Sequence, residues 1–501
     1  MNYKKLGKIL GKIMVLEGAL MLAPLLVSII YNEGTRNILA FLIPSASVAG
    51  LGLLLQIPKP KREIFYQKEG FALTALVWII MTLFGAVPFV INGDIPNYIK
   101  ACFEIMSGFT TTGASILDEV SIGVQAHSTL FWRSFSHWIG GMGVLVFVLI
   151  FIPESNDGTA MHLLRAESPG PQVGKIVSKM KVTTRILYLI YLGLTVLEAV
   201  ILMLDKPIAG FENDKIFISL LTAFGSAGTG GFGFIPGSIE LFSPFSQYII
   251  ACFLLLFGIN FSLYYLLLIG KAKALIKSEE LRTYIIVIVM AVGTIFASLI
   301  TKASALDYST EEAFRHSFFQ VASLITTTGY STTDFNVWPM SAVIVLVMLM
   351  FMGGMAGSTA GGMKTSRIMI AVKGAYVNVR KLINPRYVPK VKFEGKTLEE
   401  KTTNDVFSFI TLYMFILFIV TFVLSFDGVN DGGTHGFFSN FSSALSCLSN
   451  IGPGFEAVGP YASFSAYNPF SKILLTLTMM VGRLEILPVL ILFSPRTWKK
   501  V

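Results

Sequence analysis

One unit recurs four times along this chain: a long apolar run, a shorter apolar segment, a glycine turn and a second long apolar run. The shorter segments lie near 97–112, 214–230, 312–328 and 436–451. They are followed by Thr110-Thr111-Thr112-Gly113-Ala114-Ser115, Gly228-Thr229-Gly230-Gly231-Phe232-Gly233, Thr326-Thr327-Thr328-Gly329-Tyr330-Ser331 and Ser449-Asn450-Ile451-Gly452-Pro453-Gly454. The aligned glycines, Gly113, Gly231, Gly329 and Gly452, are 118, 98 and 123 residues apart. A bilayer crossing takes about 20 apolar residues, so the long runs span and segments of roughly 15 do not. One such segment would read as an amphipathic helix on the outer surface; four at matching places read as half-helices that enter and return.

Composition agrees. Hydrophobic residues make up 53% of the 501 and charged residues 14%, against roughly 25% charged in a soluble domain. Mean hydropathy is +0.69. A soluble enzyme, a disordered chain and a collagen are excluded. Cys102, Cys252 and Cys447 match no zinc spacing or disulfide framework, and five histidines without HExxH argue against a zinc hydrolase. The expected fold is an all-α polytopic membrane protein with ten transmembrane helices. A pair near 9–31 and 37–57 is followed by eight spans beginning near 72, 130, 185, 245, 283, 338, 406 and 470. The divisions are 1–70 for the pair and its basic loop, then repeats 71–183, 184–281, 282–403 and 404–501, in pseudo-fourfold arrangement.

Lysine and arginine orient the chain. Loops 1–12, 59–68, 154–185, 270–283, 364–401 and 496–501 hold 30 of the 39 basic residues, so both termini are expected inside. The net charge of +9 is then loop charge and implies no nucleic-acid partner. The opposite side carries acids, among them Asp94, Glu104, Asp118, Glu119, Asp307, Glu311, Glu312, Asp427 and Asp431, expected to form an acidic mouth. MNYKKLGKILGK begins a retained helix, since the following apolar run is too long for a signal peptide and no small-residue cleavage site follows.

The glycine turns suggest a function. Irregular backbone at membrane depth survives only where it lines a cavity or is buried in protein. Glycine permits strained turns that aim successive carbonyls inward. Four such strands around an axis make a ring of carbonyl oxygens able to replace a cation's water shell. The C-terminal ends of the short helices add partial negative charge. The candidate ion-binding residues are Thr111, Thr112, Gly113, Thr229, Gly230, Gly231, Thr327, Thr328, Gly329, Asn450, Ile451 and Gly452.

A second feature interrupts the run 338–352. Gly353, Gly354, Gly357, Gly361 and Gly362 fall within ten residues before Lys364, each costing a helix about 1 kcal/mol against alanine. A helix broken at mid-membrane belongs beside a transport pathway; the plainer reading is a close helix–helix contact through small residues. GSTAGGMKT is not a phosphate loop, because Met363 separates Gly362 from Lys364 and no buried strand precedes it. Arg483, in LLTLTMMVGRLEILPVL, is a charge within a span and marks function. The rival readings are snorkelling or a pair with Glu485, although a spacing of two puts those residues on different helix faces. Lys364 reads equally as an inner pore cation or a helix-end charge.

TTTGAS, TGGFG, TTTGYS, SNIGPGF, FMGGMAGSTAGGMKTSR and MMVGRLE, over nearly the whole chain, resemble the Trk/Ktr/HKT superfamily of potassium transport proteins. The resemblance implies a channel-like K+ uptake protein of the bacterial inner membrane, passing K+ at the glycine turns, with Rb+ and Na+ as further candidate ions. It implies a homodimer and a loop at 353–362 that obstructs the pore, approached by an arginine matching Arg483. It implies control by a cytosolic nucleotide-binding ring of the TrkA kind docked on the basic segment 364–401, which also suits anionic lipid. Gly228, Gly230 and Gly233 stand where other repeats have larger residues and are expected to loosen one side of the filter. No cofactor and no enzyme activity are implied. The alternative function is an ion-coupled symporter of a small solute, whose folds show two repeats rather than four; a haem protein using His127, His137 or His162 is the remaining rival.

Overall fold

The computed structural model describes residues 2–58, 67–143, 180–208, 210–235, 237–301, 308–384, 390–427 and 436–486, with 489, 492 and 494–498. Most of the expected inner loops 59–68 and 154–185, residues 385–389 of the basic segment, and Asp307, Asp431 and His162 lie outside the described residues.

The chain is a multi-pass helical membrane protein. Among the described residues six helices are long and apolar enough to cross a bilayer, or seven if one sharply bent pair is counted as a span. The first two elements are Tyr3–Leu20, continuing as Leu22–Ile30, and Thr35–Gln56. They pack through small residues. A Cβ on Gly11 would stand 2.4 Å from the Gly52 carbonyl oxygen, and Ser45 Oγ donates to the Gly18 carbonyl at 2.7 Å. Close backbone approach of this kind replaces the hydrophobic driving force that lipid cannot supply.

Each of the four expected units holds a short helix after a long one and before a third helix. The first has Gln67–Gly85, Tyr98–Phe109 and His127–Gly141; the second Met180–Leu204, Lys215–Gly228 and Pro244–Phe257. The third has Glu279–Thr301, Thr310–Ile325 and Met340–Phe351; the fourth Glu400–Leu424, Phe437–Ser449 and Pro469–Arg483. Local chemistry sets several starts. Asn97 caps the first short helix through its side chain. Ser309 and Glu312 form a reciprocal capping box on the third. Ser243-Pro244 and Asn468-Pro469 each put a capping side chain before a proline at the first helical position.

Helix faces divide by solvent. On Met180–Leu204, Leu189, Leu192, Val196, Leu197 and Val200 are exposed at helical spacing, while Tyr188, Tyr191, Ala199 and Leu202 are buried. An apolar stripe left outside a packed core is the pattern of a lipid-facing helix.

The fold is predominantly helical, as expected, and two features add to it. Among the described residues, Met352–Gly353 pairs in parallel with Met363–Lys364, and Lys392–Phe393 pairs antiparallel with Lys396–Thr397. The sequence also signals one broken span, where the described residues show two. Pro244–Phe257 and Phe261–Leu268 meet at 91° across Gly258-Ile259-Asn260. A lone Gly-x-Asn in an apolar run is a weak signal, because its stabilising contacts come from 100 residues away.

Candidate functional site

The four short helices end alike. The residue after the helix, or one further on, enters the left-handed region: Thr111 (φ 53°), Thr229 (53°), Thr327 (55°) and Asn450 (57°). The next amide donates back five residues in every case, Thr112 to Ser107, Gly230 to Gly225, Thr328 to Ser323 and Ile451 to Ser446, at 2.8 to 3.0 Å. This six-to-one bond is the Schellman closure of a helix C-terminus. Two residues after each left-handed residue stands a positive-φ glycine: Gly113 (77°), Gly231 (66°), Gly329 (86°) and Gly452 (108°).

These glycines face one another's strands in cyclic order. A Cβ on Gly113 would stand 1.9 Å from the Gly230 carbonyl oxygen, on Gly231 2.0 Å from that of Thr328, and on Gly329 2.0 Å from that of Ile451. On Gly452 it would stand 2.9 Å from that of Thr112, which closes the cycle. Asn450 Nδ2 also bridges the fourth turn to the first, donating to Thr112 Oγ1 at 2.9 Å. All twelve residues singled out from the sequence therefore fall in these four turns.

Side chains behind the turns were less legible. Glu104, expected at an acidic mouth, is fully buried and paired with Arg133 at 2.8 Å. Its other oxygen accepts the Ile116 amide at 2.9 Å. Arg133 donates to the Gly233 carbonyl at 2.9 Å and lies over the Phe232 ring. The pair thus ties the strand after the first turn to the strand after the second. Asp427 is likewise buried, accepting the Asn468 amide at 3.0 Å. The one available signal was Arg133 itself, a charge in the apolar run HSTLFWRSF.

Nor is the second turn loose. The space at Gly230 is taken by the His137 imidazole, whose Nδ1 would be 2.2 Å from a Cβ there, and Gly228 abuts the His137 carbonyl. His137 meets the Gly108 carbonyl at 2.9 Å through Nδ1. The glycines accommodate a ring from the neighbouring repeat. His127 instead stacks on Tyr31, so these two histidines share no site.

The 353–362 segment is a loop pinched at its base by the Met352–Gly353 and Met363–Lys364 pairing. It bonds to or packs against the second, third and fourth repeats, and Arg483 links it to the first. Met355 N donates to the Gly258 carbonyl, and Phe261 N to the Gly357 carbonyl, each at 3.0 Å, so the bent span and the loop satisfy each other's freed backbone groups. Gly361 N donates to Thr327 Oγ1 at 2.6 Å. A Cβ on Gly361 would stand 2.5 Å from the Ser449 carbonyl oxygen. Gly354 and Gly357 press against Ala360 and Asn260, and Gly353 and Gly362 against each other's strand.

Arg483 reaches this loop. It donates to the Thr359 carbonyl at 3.0 Å and to the Gly140 and Gly141 carbonyls at 2.6 and 2.8 Å. Three oxygens from two repeats suit the fixed guanidinium fork. Glu485 is not its partner; it pairs with Arg367, whose Nη1 donates to Oε1 at 2.9 Å. Lys364 is buried, with Nζ donating to the Ala360 carbonyl inside the loop. Glu280, which the sequence did not single out, accepts the amides of Ala356 at 2.8 Å and Ser366 at 3.0 Å.

Comparison with known proteins gives one answer. Residues 36–500 match the family TrkH, described as cation transport protein. The Trk system potassium uptake protein TrkH of Escherichia coli K12 is 33% identical, over all of both chains. TrkG of the same system and strain is 32% identical, over 96% of this chain and 95% of that one. The crystal structure of the potassium transporter TrkH from Vibrio parahaemolyticus superposes with a TM-score of 0.86 at 28% identity, covering all of both chains.

Proposed function

The chain belongs to the TrkH family of cation transport proteins, a family of transporters and not of enzymes, and from that premise we propose that it is a channel-like K+ uptake protein gated by its 353–362 loop. Its ten spans comprise the N-terminal pair and four repeats in pseudo-fourfold arrangement. K+ passes the axis at Thr111–Gly113, Thr229–Gly231, Thr327–Gly329 and Asn450–Gly452. The observation that carries this is the closed cycle in which each filter glycine lies against the preceding residue's carbonyl in the next repeat. Four equivalent backbone strands, each with its carbonyls close to a neighbour, are what a ring of oxygens around a dehydrated cation requires. The membrane potential drives entry at about 2.3 kcal/mol per charge per 100 mV.

Beneath the filter the loop obstructs the path. Arg483 serves it twice, by holding the Thr359 carbonyl and by repelling a cation in the path. A cytosolic ring of the TrkA kind, docked on the basic segment 364–401, controls the loop; the same segment meets anionic lipid. The protein works as a homodimer in the bacterial inner membrane with both termini cytoplasmic.

The test is flux of K+, Rb+ and Na+ into liposomes holding the chain alone. Uptake of K+ and Rb+ well above Na+, driven by potential without a solute partner, is the expected result. Flux that requires a cotransported solute would replace this reading with a symporter.

A further inference from the structure

Between the basic inner segment and the gate loop lies a short hydrogen-bonded path. The hairpin Lys392–Phe393 and Lys396–Thr397 turns through Glu394 (φ 50°) and Gly395 (φ 71°). Two positive-φ residues in a two-residue loop make a type I′ turn, where asparagine is the favoured first residue and glutamate is a costly one. The glutamate has work elsewhere. Its Oε1 accepts Ser278 Oγ at 2.8 Å and the Glu280 amide at 3.0 Å. These residues open the helix Glu279–Thr301, and the Glu280 carboxylate in turn accepts the amides of Ala356 in the loop and of Ser366 in the helix that follows it.

The hairpin is anchored on one side and free on the other. Phe393 is buried with Ile370 and Val406. Lys373, on the helix that continues from the gate loop, donates to Glu279 Oε2 at 2.5 Å and to the Lys392 carbonyl at 3.0 Å. Lys392, Lys396, Lys390, Lys401, Arg380 and Lys381 are all exposed. Phe393 thus fixes the hairpin to the helices that carry Ile370 and Val406, while its open face offers positive charge to an acidic protein surface.

We propose that this hairpin is the handle through which the cytosolic partner moves the gate, with Glu394 and Glu280 as the positioning residues that transmit its displacement to the 353–362 loop. The proposal rests on the gated reading above. An acidic partner surface that pulls the hairpin away withdraws Glu394 from the start of the Glu279–Thr301 helix. Glu280 then shifts, and Ala356 and Ser366 lose their acceptor. Coupling here is a chain of direct contacts between a surface element and a loop, each of which an engineered substitution addresses separately.

Two substitutions separate the link from the hairpin's own stability. Glu394→Gln keeps the reach and an acceptor oxygen. Glu394→Asn suits the turn better but is one methylene too short. Full-length protein in liposomes is assayed for Rb+ uptake without partner, and in nanodiscs for hydrogen exchange at the Ala356 and Ser366 amides. Glu394→Asn is expected to raise basal uptake roughly fivefold, the population change of one hydrogen bond of ordinary net strength, and to speed exchange at Ala356 and Ser366. Glu394→Gln is expected to match the wild type in both. Unchanged uptake and exchange in Glu394→Asn, while Arg483→Ala still raises uptake, overturns the link and leaves the gate standing. If neither variant raises uptake, the gate reading itself fails. Equal leakiness of the Gln and Asn variants also overturns the link, as does normal loop exchange with uptake altered only by anionic lipid in the vesicles.

Discussion

A methyl group on each filter glycine should do unequal damage, and the inequality follows from the distances. At Gly113, Gly231 and Gly329 the added Cβ lands 1.9 to 2.0 Å from a carbonyl oxygen of the next repeat. Ordinary contact begins near 3.4 Å, so that oxygen must move by about 1.4 Å. The atom displaced is one of those argued to replace water around K+, and a left-handed residue with a Cβ costs a further ~1–2 kcal/mol. At Gly452 the nearest atom, the Thr112 oxygen, is 2.9 Å away, and a shift of about 0.5 Å suffices. Its φ of 108° lies beyond the usual left-handed well, so the backbone strain there is larger. Strain of a few kcal/mol is still less than forcing two atoms more than 1 Å inside contact. Gly113→Ala, Gly231→Ala and Gly329→Ala should therefore lose Rb+-over-Na+ preference, or all flux, as monodisperse proteins. Gly452→Ala should keep a reduced but selective flux. The assay is paired Rb+ and Na+ uptake in liposomes after gel filtration. Selectivity retained at Gly113 and Gly329 but lost at Gly452 would refute the cyclic carbonyl ring.

Other outcomes follow from the same geometry. Arg483→Ala removes one charge-assisted bond to the loop, ~1.5–3 kcal/mol. It also removes a repulsion of roughly 2 kcal/mol for a cation about 7 Å away at an effective dielectric near 20. Basal Rb+ uptake should rise at least tenfold with selectivity kept, and a well-folded variant with unchanged uptake would rule out the gate. Gly230→Thr, which copies the first and third repeats, should fail because the imidazole of His137 fills that space; adding His137→Gly should recover part of the expression level and flux, and no recovery would show that the ring is not the obstacle. Arg133→Ala strands a buried carboxylate and should cost ~3–5 kcal/mol of stability, read as a lower melting temperature in detergent, whereas a melting temperature equal to wild type would count against the Glu104 pair. Neutralising Lys390, Lys392, Lys396 and Lys401 together should weaken co-purification with the cytosolic ring without changing the protein's melting temperature; undiminished co-purification places docking elsewhere.

What the sequence made legible is what backbone geometry demands of residue type. Only glycine sits easily at the four positive-φ positions, so Gly113, Gly231, Gly329 and Gly452 stand out at matching places whatever surrounds them. The left-handed position before each is Thr, Thr, Thr and Asn, and the residue between is Thr, Gly, Thr and Ile. Those side chains differ because the shared element is the main chain. Contacts made by side chains over long separations were not legible. Nothing in the sequence around Glu104 names Arg133, 29 residues on, and the pattern of acids on one side of the membrane suggested a mouth instead. Gly230 looked like slack because the residue that fills it, His137, belongs to another repeat.

The second broken span shows how such gaps arise and what they are for. A straight helix through Gly258-Ile259-Asn260 would leave the Gly258 carbonyl bonded within its own span and no room for Gly357, which a Cβ would already bring to 3.1 Å from Asn260. With the bend, that carbonyl accepts Met355 N and the Phe261 amide finds Gly357. The loop is then held by repeat two at its near side, by Thr327 of repeat three at Gly361, and against Ser449 of repeat four. Arg483 joins it to the Gly140 and Gly141 carbonyls of repeat one. A segment held directly by three repeats, and joined to the first through Arg483, has one kind of place to be, where the repeats converge. That placement, more than the glycines within the loop, is the ground for reading it as the gate: a loop on the periphery could break a helix just as well, but it would not be tied, directly or through one arginine, to all four repeats.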